Sequence, residues 1–171
     1  MNKSEASALL AEITVSPITS ELHQLLCASQ ERFVNIKKQL KLRIDPRQFT
    51  RLYSDIASAC IHQTVGTAQW AESQASSRIE KHGGYPRARI DHLDRTFIFT
   101  SNGKASADYI KNAMSVNSAT GTAGARCIQV DYKLNGANGI GRAVLISPSG
   151  DGTPLAQTEL YPSFGPAIAI G

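Results

Sequence analysis

Few residues of this chain could do chemistry, and they are widely spaced. His82, His92 and Asp94, with Arg87 and Arg89 between them, could make an acid–base site in which the arginines stabilise a phosphate, as a metal-independent ribonuclease needs. Such a site works only if the side chains converge on one cleft. All five lie in a 13-residue junction where polar side chains are expected anyway, so the spacing alone does not define a site.

Cys27, His82 and Asp94 follow the chain order of some thiol hydrolases, in which an imidazole raises the thiolate fraction and an acid orients the ring. Cys27 sits in Leu25-Leu26-Cys27-Ala28, close to an apolar stripe, and burial as a small hydrophobe is the expectation for it. Cys60-Ile61-His62 pairs two metal-binding groups without the second pair that a soft-metal site needs. No metal and no cofactor is predicted. The glycine-rich stretches at Thr120–Gly124 and Gly136–Gly141 lack the Lys-Ser/Thr pair and the following helix of a phosphate-binding loop. They read as turns between strands.

Charge is the stronger signal. The chain carries a formal net charge of +4, and the excess is uneven. Seven bases, Arg32, Lys37, Lys38, Lys41, Arg43, Arg47 and Arg51, fall in one stretch against the single acid Asp45. These seven are the candidate nucleic-acid contacts, because Lys and Arg bind nucleic acid largely by neutralising phosphates. A solvated helix face would carry the same charges. Neither the aromatic pattern of an RNA-recognition motif nor zinc-finger spacing accompanies them, so base-specific readout has no support. A second concentration, Arg78, Lys81, Arg87, Arg89 and Arg95, is balanced in part by Glu80, Asp91 and Asp94.

The elements that must position these residues change character midway. Residues 4–14 read as a short amphipathic helix that stops near Ser16-Pro17. A second helix, capped by Thr19 or Ser20, sets Leu22, Leu26, Phe33, Ile36 and Leu40 on one stripe, with Lys37, Lys38 and Lys41 on its flank. Asp45-Pro46-Arg47-Gln48 has the cap, first-turn proline and capping-box glutamine that predict the start of a third helix. Its apolar face moves from Phe49, Leu52, Tyr53, Ile56 and Cys60 to Ile61, Val65, Ala68, Ala75 and Ile79, which predicts a bend or break at Gly66. Beyond Pro86 the period falls to two. Arg95–Thr100, Cys127–Leu134, Gly141–Ser147 and Gln157–Tyr161 read as strands, with a turn at Ser101-Asn102-Gly103 and a short helix at Ala105–Met114.

The predicted fold is therefore α+β, with a helical N-terminal half of three or four helices packed on a C-terminal antiparallel sheet of four or five strands. At 171 residues, one domain is expected, its helical half at 1–84 and its sheet half at 85–171. An apolar share of 42% is ordinary for a globular chain and excludes overall disorder. Three cysteines without a short-range pattern argue against a disulfide framework. Glu5 and Glu12 interrupt any leader, and no apolar run could span a bilayer. A cytoplasmic protein, or one inside an assembled particle, with no membrane partner, is the expectation.

The last residues, Phe164-Gly-Pro-Ala-Ile-Ala-Ile-Gly171, are apolar where chain ends are ordinarily polar. They should add a strand to their own sheet or pack on another subunit, which makes Phe164, Pro166, Ile168 and Ile170 the candidate oligomer contacts. Together these readings point to a non-catalytic structural or interaction subunit of a homo-oligomeric assembly, such as a virion, tail, filament or secretion component, with nucleic acid as a candidate partner of the basic helices. The alternative is a small effector or toxin-like enzyme, a metal-independent ribonuclease or a thiol hydrolase.

Overall fold

The computed structural model describes residues 1–101, 103, 106–115 and 126–171, with His82, Met114 and Ser115 described by backbone alone. The glycine-rich stretch at Thr120–Gly124 lies outside these residues, as do Asn102 of the predicted turn and Ala105 at the predicted helix start.

Helix α1 (Lys3–Thr14) opens on a reciprocal capping box, with the Glu5 amide donating to Asn2 Oδ1 at 2.9 Å and the Asn2 amide to Glu5 Oε2 at 2.8 Å. Helix α2 (Pro17–Leu40) starts ahead of the predicted Thr19 or Ser20 cap, because Pro17 already supplies the fixed φ of a first helical residue. Thr19 instead spends its hydroxyl on the Ile13 carbonyl at 2.7 Å, which ties α2 to the end of α1.

The third helix departs from expectation at both ends. Asp45 does cap, but it closes a turn of its own: its Oδ1 accepts from the Arg47 amide at 2.9 Å, and its carbonyl accepts from the Gln48 and Phe49 amides, both at 3.1 Å. Helix α3 (Thr50–Thr67) begins after that turn, with Phe49 as an N-cap whose side chain offers no hydrogen bond. At Gly66 the helix breaks rather than bends, and it does not resume toward Ile79. It ends at Thr67, and Trp70 Nε1 donates to Ser77 Oγ at 2.9 Å while Ser77 Oγ donates to the Val65 carbonyl at 2.8 Å. These two bonds fold the chain back over the helix end and into strand β1 (Ser76–His82). Ala75 and Ile79 misled because a spacing of four suits one face of a strand as well as one face of a helix.

The sheet continues with β2 (Tyr85–His92), β3 (Arg95–Ser101), β4 (Arg126–Leu134), β5 (Ile140–Pro148), β6 (Pro154–Tyr161) and β7 (Ile168–Ala169). Among the described residues it has seven strands rather than four or five, placed side by side in chain order. The two additional strands on the β1 edge carry so many charges that they resemble loop in sequence. Helices are not confined to the N-terminal half either, since α4 (Ala107–Ser115) lies between β3 and β4. That crossover makes β3 and β4 run parallel, whereas every other neighbouring pair is antiparallel.

Alternation along the strands gives the sheet two buried faces. Ile90, Phe97, Ile128, Val130 and Leu145 belong to the main core, which they share with α1, α2 and α3. Ile98 and Cys127, of opposite parity, pack with Tyr109, Ile110 and Ala113 of α4. A satellite core of Phe33, Tyr53, Ala57 and Cys60 locks α2 to α3. Cutting Phe33 or Tyr53 back to alanine would cost about 3–5 kcal/mol by loss of apolar contact and the cavity left behind. Among the described residues no helix is long and apolar enough to cross a membrane.

Candidate functional site

The corner where α2 hands over to α3 is built by three hydrogen-bonded supports. Tyr53, fully buried, donates its hydroxyl to the Ile44 carbonyl at 2.6 Å and so holds the connecting segment against α3. From the sheet, the β4–β5 connection projects a 3₁₀ turn (Gly136–Asn138) between the two helices. Gln30 Nε2 donates to the Asn138 carbonyl at 2.9 Å, Gln30 Oε1 accepts from the Ile140 amide at 2.8 Å, and Ser54 donates to the Gly136 carbonyl at 3.0 Å. Gly139 makes this approach feasible: its φ is +86°, and a Cβ there would lie 2.6 Å from the Phe33 ring.

Between these supports lies an open depression of about 660 Å³ bordered by Lys37, Lys41, Asp45, Arg47, Thr50 and Asn138. Three cations and one carboxylate line it. The carboxylate is already engaged by the Arg47 amide, and Lys37 Nζ donates to Asn138 Oδ1 at 3.1 Å, an uncharged partner that leaves its charge uncompensated. Among the described residues no ion pair involves any of the seven predicted contacts. Lys38, Arg43 and Arg51 are exposed outside the depression. Arg32 is set apart: it is half-buried, with Nη1 buried and without a hydrogen-bond partner, and its charge bears on Cys60, whose thiol is pushed up by burial and partly pulled back by that guanidinium. Phe49 (50% exposed), Leu42 (81%) and Leu52 (39%) add apolar surface to the corner. Sequence periodicity did not single out this apolar rim, because Phe49 and Leu52 fit an inward helical face.

The second basic stretch has a different fate. Arg89 is buried and pairs through Nε with Asp91 at 3.0 Å, while Arg78 reaches the same fully buried carboxylate through Nη1 at 2.9 Å. Thr96 donates to Asp91 Oδ1 at 2.8 Å, and Glu80 stands 3.4 Å from Arg78 and 3.7 Å from Arg89. Arg87 stacks over the Tyr109 ring at 5.4 Å, and Arg95 pairs with Glu12 of α1. These arginines are structural members of the sheet.

The acid–base group read from the sequence is pulled apart by the same strands. His82 faces Tyr85 across the β1–β2 turn, and His92 ends β2, so their backbones stand roughly 20 Å apart at 3.3 Å per residue. Arg87 and Arg89 share one parity of β2; His92 shares the other with Ala88 and Ile90, on the helical side of the sheet. His92 is 7% exposed, and its imidazole is held below its ordinary value by burial first and by Arg95 second, against a smaller opposite pull from Glu21 and Asp94. Asp94 is exposed in the turn between β2 and β3. His62, half-buried on α3, is likewise lowered by burial and then by Arg87. Among the described residues no three His, Cys, Asp or Glu side chains group as a metal cage would.

The cysteines divide unexpectedly. Cys60 and Cys127 are buried, and burial pushes the Cys127 thiol up to about 12. Cys27 is exposed, contrary to the expectation of a core residue. Its neighbour is neither His82 nor Asp94 but His23, one helical turn earlier, with Nε2 3.5 Å from Cys27 Sγ. The spacing i, i+4 that places both on one face of α2 was present in the sequence. What it lacked was the third partner, the Leu160 carbonyl, 2.8 Å from His23 Nδ1 and 137 positions further along the chain.

Fold and surface thus define an α+β protein with an open basic corner and a separate thiol–imidazole pair. No protein-family model, no curated protein and no solved structure matches the chain, so this geometry is what carries a functional reading.

Proposed function

We propose that the protein is a non-catalytic interaction subunit that holds nucleic acid by its phosphate backbone at the α2–α3 corner. The observation that carries this reading is the depression bordered by Lys37, Lys41 and Arg47, whose charges have no acidic partner among the described residues. Folded proteins ordinarily distribute such charge among acids or leave it scattered; gathered around one concavity, it suits a polyanion. Half-exposed Phe49 supplies a ring on which an unpaired base can stack, which favours single strands over duplex. The test is a titration of a labelled single strand across a salt series. Three phosphate contacts should give a slope of log affinity against log salt of about −2 for a single strand, and replacing Lys37, Lys41 and Arg47 together by alanine should flatten it. Binding that ignores salt, or that survives the triple replacement, overturns the reading.

A second component concerns self-association, in which the protein serves as one copy of a homo-oligomeric assembly in the cytoplasm or in a particle. It draws on the C-terminal tail. β7 pairs with β6 through Ala156 and Gln157, and the Ile170 amide donates to the Leu155 carbonyl at 2.8 Å, so the tail closes its own sheet. Yet Phe164 (48% exposed), ahead of β7, and Ile168 (56%), within it, keep much apolar surface in water, and among the described residues no further strand pairs with the outer edge of β7. A second copy adding to that edge would cover Phe164, Pro166, Ile168 and Ile170. Sedimentation at increasing concentration should show mass above the monomer, lowered by Ile168→Asp. A strict monomer at the highest concentration sinks this component.

A further inference from the structure

The Cys27–His23 pair has the three-part arrangement that activates a nucleophile: a thiol, a base within reach, and a group that orients the base. His23 Nδ1 lies 2.8 Å from the Leu160 carbonyl, which can only accept, so Nδ1 must carry the proton. In the neutral ring Nε2 is then an unprotonated acceptor, and it is Nε2 that lies 3.5 Å from Cys27 Sγ. The tautomer is therefore set by the sheet, through the last residues of β6, and not by the helix that carries both side chains.

Two aromatic rings restrain the imidazole further. The Tyr161 centroid is 6.1 Å from that of His23 and the Phe164 centroid 5.0 Å, both tilted to it. The Tyr161 phenol is raised by burial first and by the Cys27 charge second. Cys27 itself is open to solvent, unlike Cys60 and Cys127, so a reagent can reach its sulfur. Among the described residues the titratable group in contact with it is His23, from its own helix, and Tyr161 of β6 is coupled to it by charge.

We infer that Cys27 is a modification site, a nucleophilic thiol served by His23 as proton acceptor, whose substrate class is a low-molecular-weight disulfide. In the exchange His23 Nε2 takes the proton of the thiol, and Cys27 Sγ attacks one sulfur of the incoming disulfide. A new S–S bond forms on Cys27 as the old one breaks, and the released thiolate leaves with the electron pair and is protonated by solvent. One thiol is oxidised and one half of the reagent is reduced, so no further oxidant is required. The mixed disulfide would form beside His23, whose ring lies against Phe164 at the start of the apolar tail, and so couples thiol chemistry to the C-terminal edge of the sheet. This inference does not rest on the nucleic-acid reading.

The experiment is a timed reaction of the whole protein with glutathione disulfide at pH 7, followed by intact mass and peptide mapping. One adduct is expected, on Cys27, and none on Cys60 or Cys127. His23→Asn retains an N–H for the Leu160 carbonyl but has no base to offer; it should slow the reaction by about tenfold or more. That deficit should narrow near pH 10, where hydroxide ionises any accessible thiol. A His23→Asn protein that reacts as fast as the parent at pH 7 overturns the inference, as does an adduct on either buried cysteine in place of Cys27. Should His23→Asn fail to fold, imidazole added to a His23→Gly protein serves instead: rescue supports the base, and its failure in a folded protein removes it.

Discussion

The two basic stretches look alike along the chain and end in opposite environments. Arg32–Arg51 straddles two helices and their joint, where side chains radiate and five of the seven bases stay exposed. Arg78–Arg95 falls in antiparallel strands, where every second residue is turned to the same face and neighbours across the ladder stand close together. Strand pairing sets Arg78 opposite Arg89 and draws both to Asp91, so like charges are juxtaposed and neutralised around one buried carboxylate. Positive charge therefore contributes to folding in one region and stays outside any ion pair among the described residues in the other. The local period of the backbone, more than the number of lysines and arginines, separates the two.

Removing the charge of that buried carboxylate should have the largest effect. Asp91→Asn leaves Arg89 buried with a weakened partner set, and loss of one member of a buried pair typically costs about 3–5 kcal/mol. Chemical denaturation should register a shift of that order; a change too small to measure would mean that Arg89 re-pairs with Glu80 alone.

Acid should act next, through one imidazole of α3 and one of β2. His62 and His92 both have values depressed in the folded protein, so the unfolded chain takes up protons first as pH falls. Their contribution is present above the unfolded value near 6.5 and is lost as pH drops below it. The denaturation midpoint should accordingly decline between pH 7.5 and 5.5, and His62→Gln with His92→Gln should flatten that decline. An unchanged slope in the double variant would assign the acid sensitivity to other groups.

The exposed corner should give the smallest stability effect of the three. Arg43→Ala and Arg51→Ala touch no ion pair among the described residues, and each should alter stability by less than about 0.5 kcal/mol. A larger loss would reveal that this corner is as structural as the β1–β2 cluster, and the contrast drawn above would fail.

Much of the architecture is legible from residue patterns. The stripe Leu22, Leu26, Phe33 predicts α2, and the alternation Ile128, Val130, Tyr132 predicts β4, because each repeats with the period of its own element. Misreadings cluster where two periods coincide or where charge disguises a strand. Ala75 and Ile79 satisfy helix and strand together; Arg87, Arg89 and Asp91 obscure the Ala88, Ile90 alternation of β2. Asp45-Pro46 predicts a helix start but closes a turn, since the Asp45 side-chain oxygen accepts from the amide two residues on and not from that of Gln48.

By itself the sequence determined the element types over most of the chain, the concentration of bases between Arg32 and Arg51, and the i, i+4 relation of His23 to Cys27. These follow from short-range geometry, which a backbone of known period carries wherever it is placed. Only the tertiary structure decided which charges would be neutralised, that His82 and His92 would lie at opposite ends of a hairpin, and that the Leu160 carbonyl would meet His23. Each of those outcomes joins residues distant along the chain or divides residues close along it, and only the pairing of strands and the docking of helices on them sets such distances.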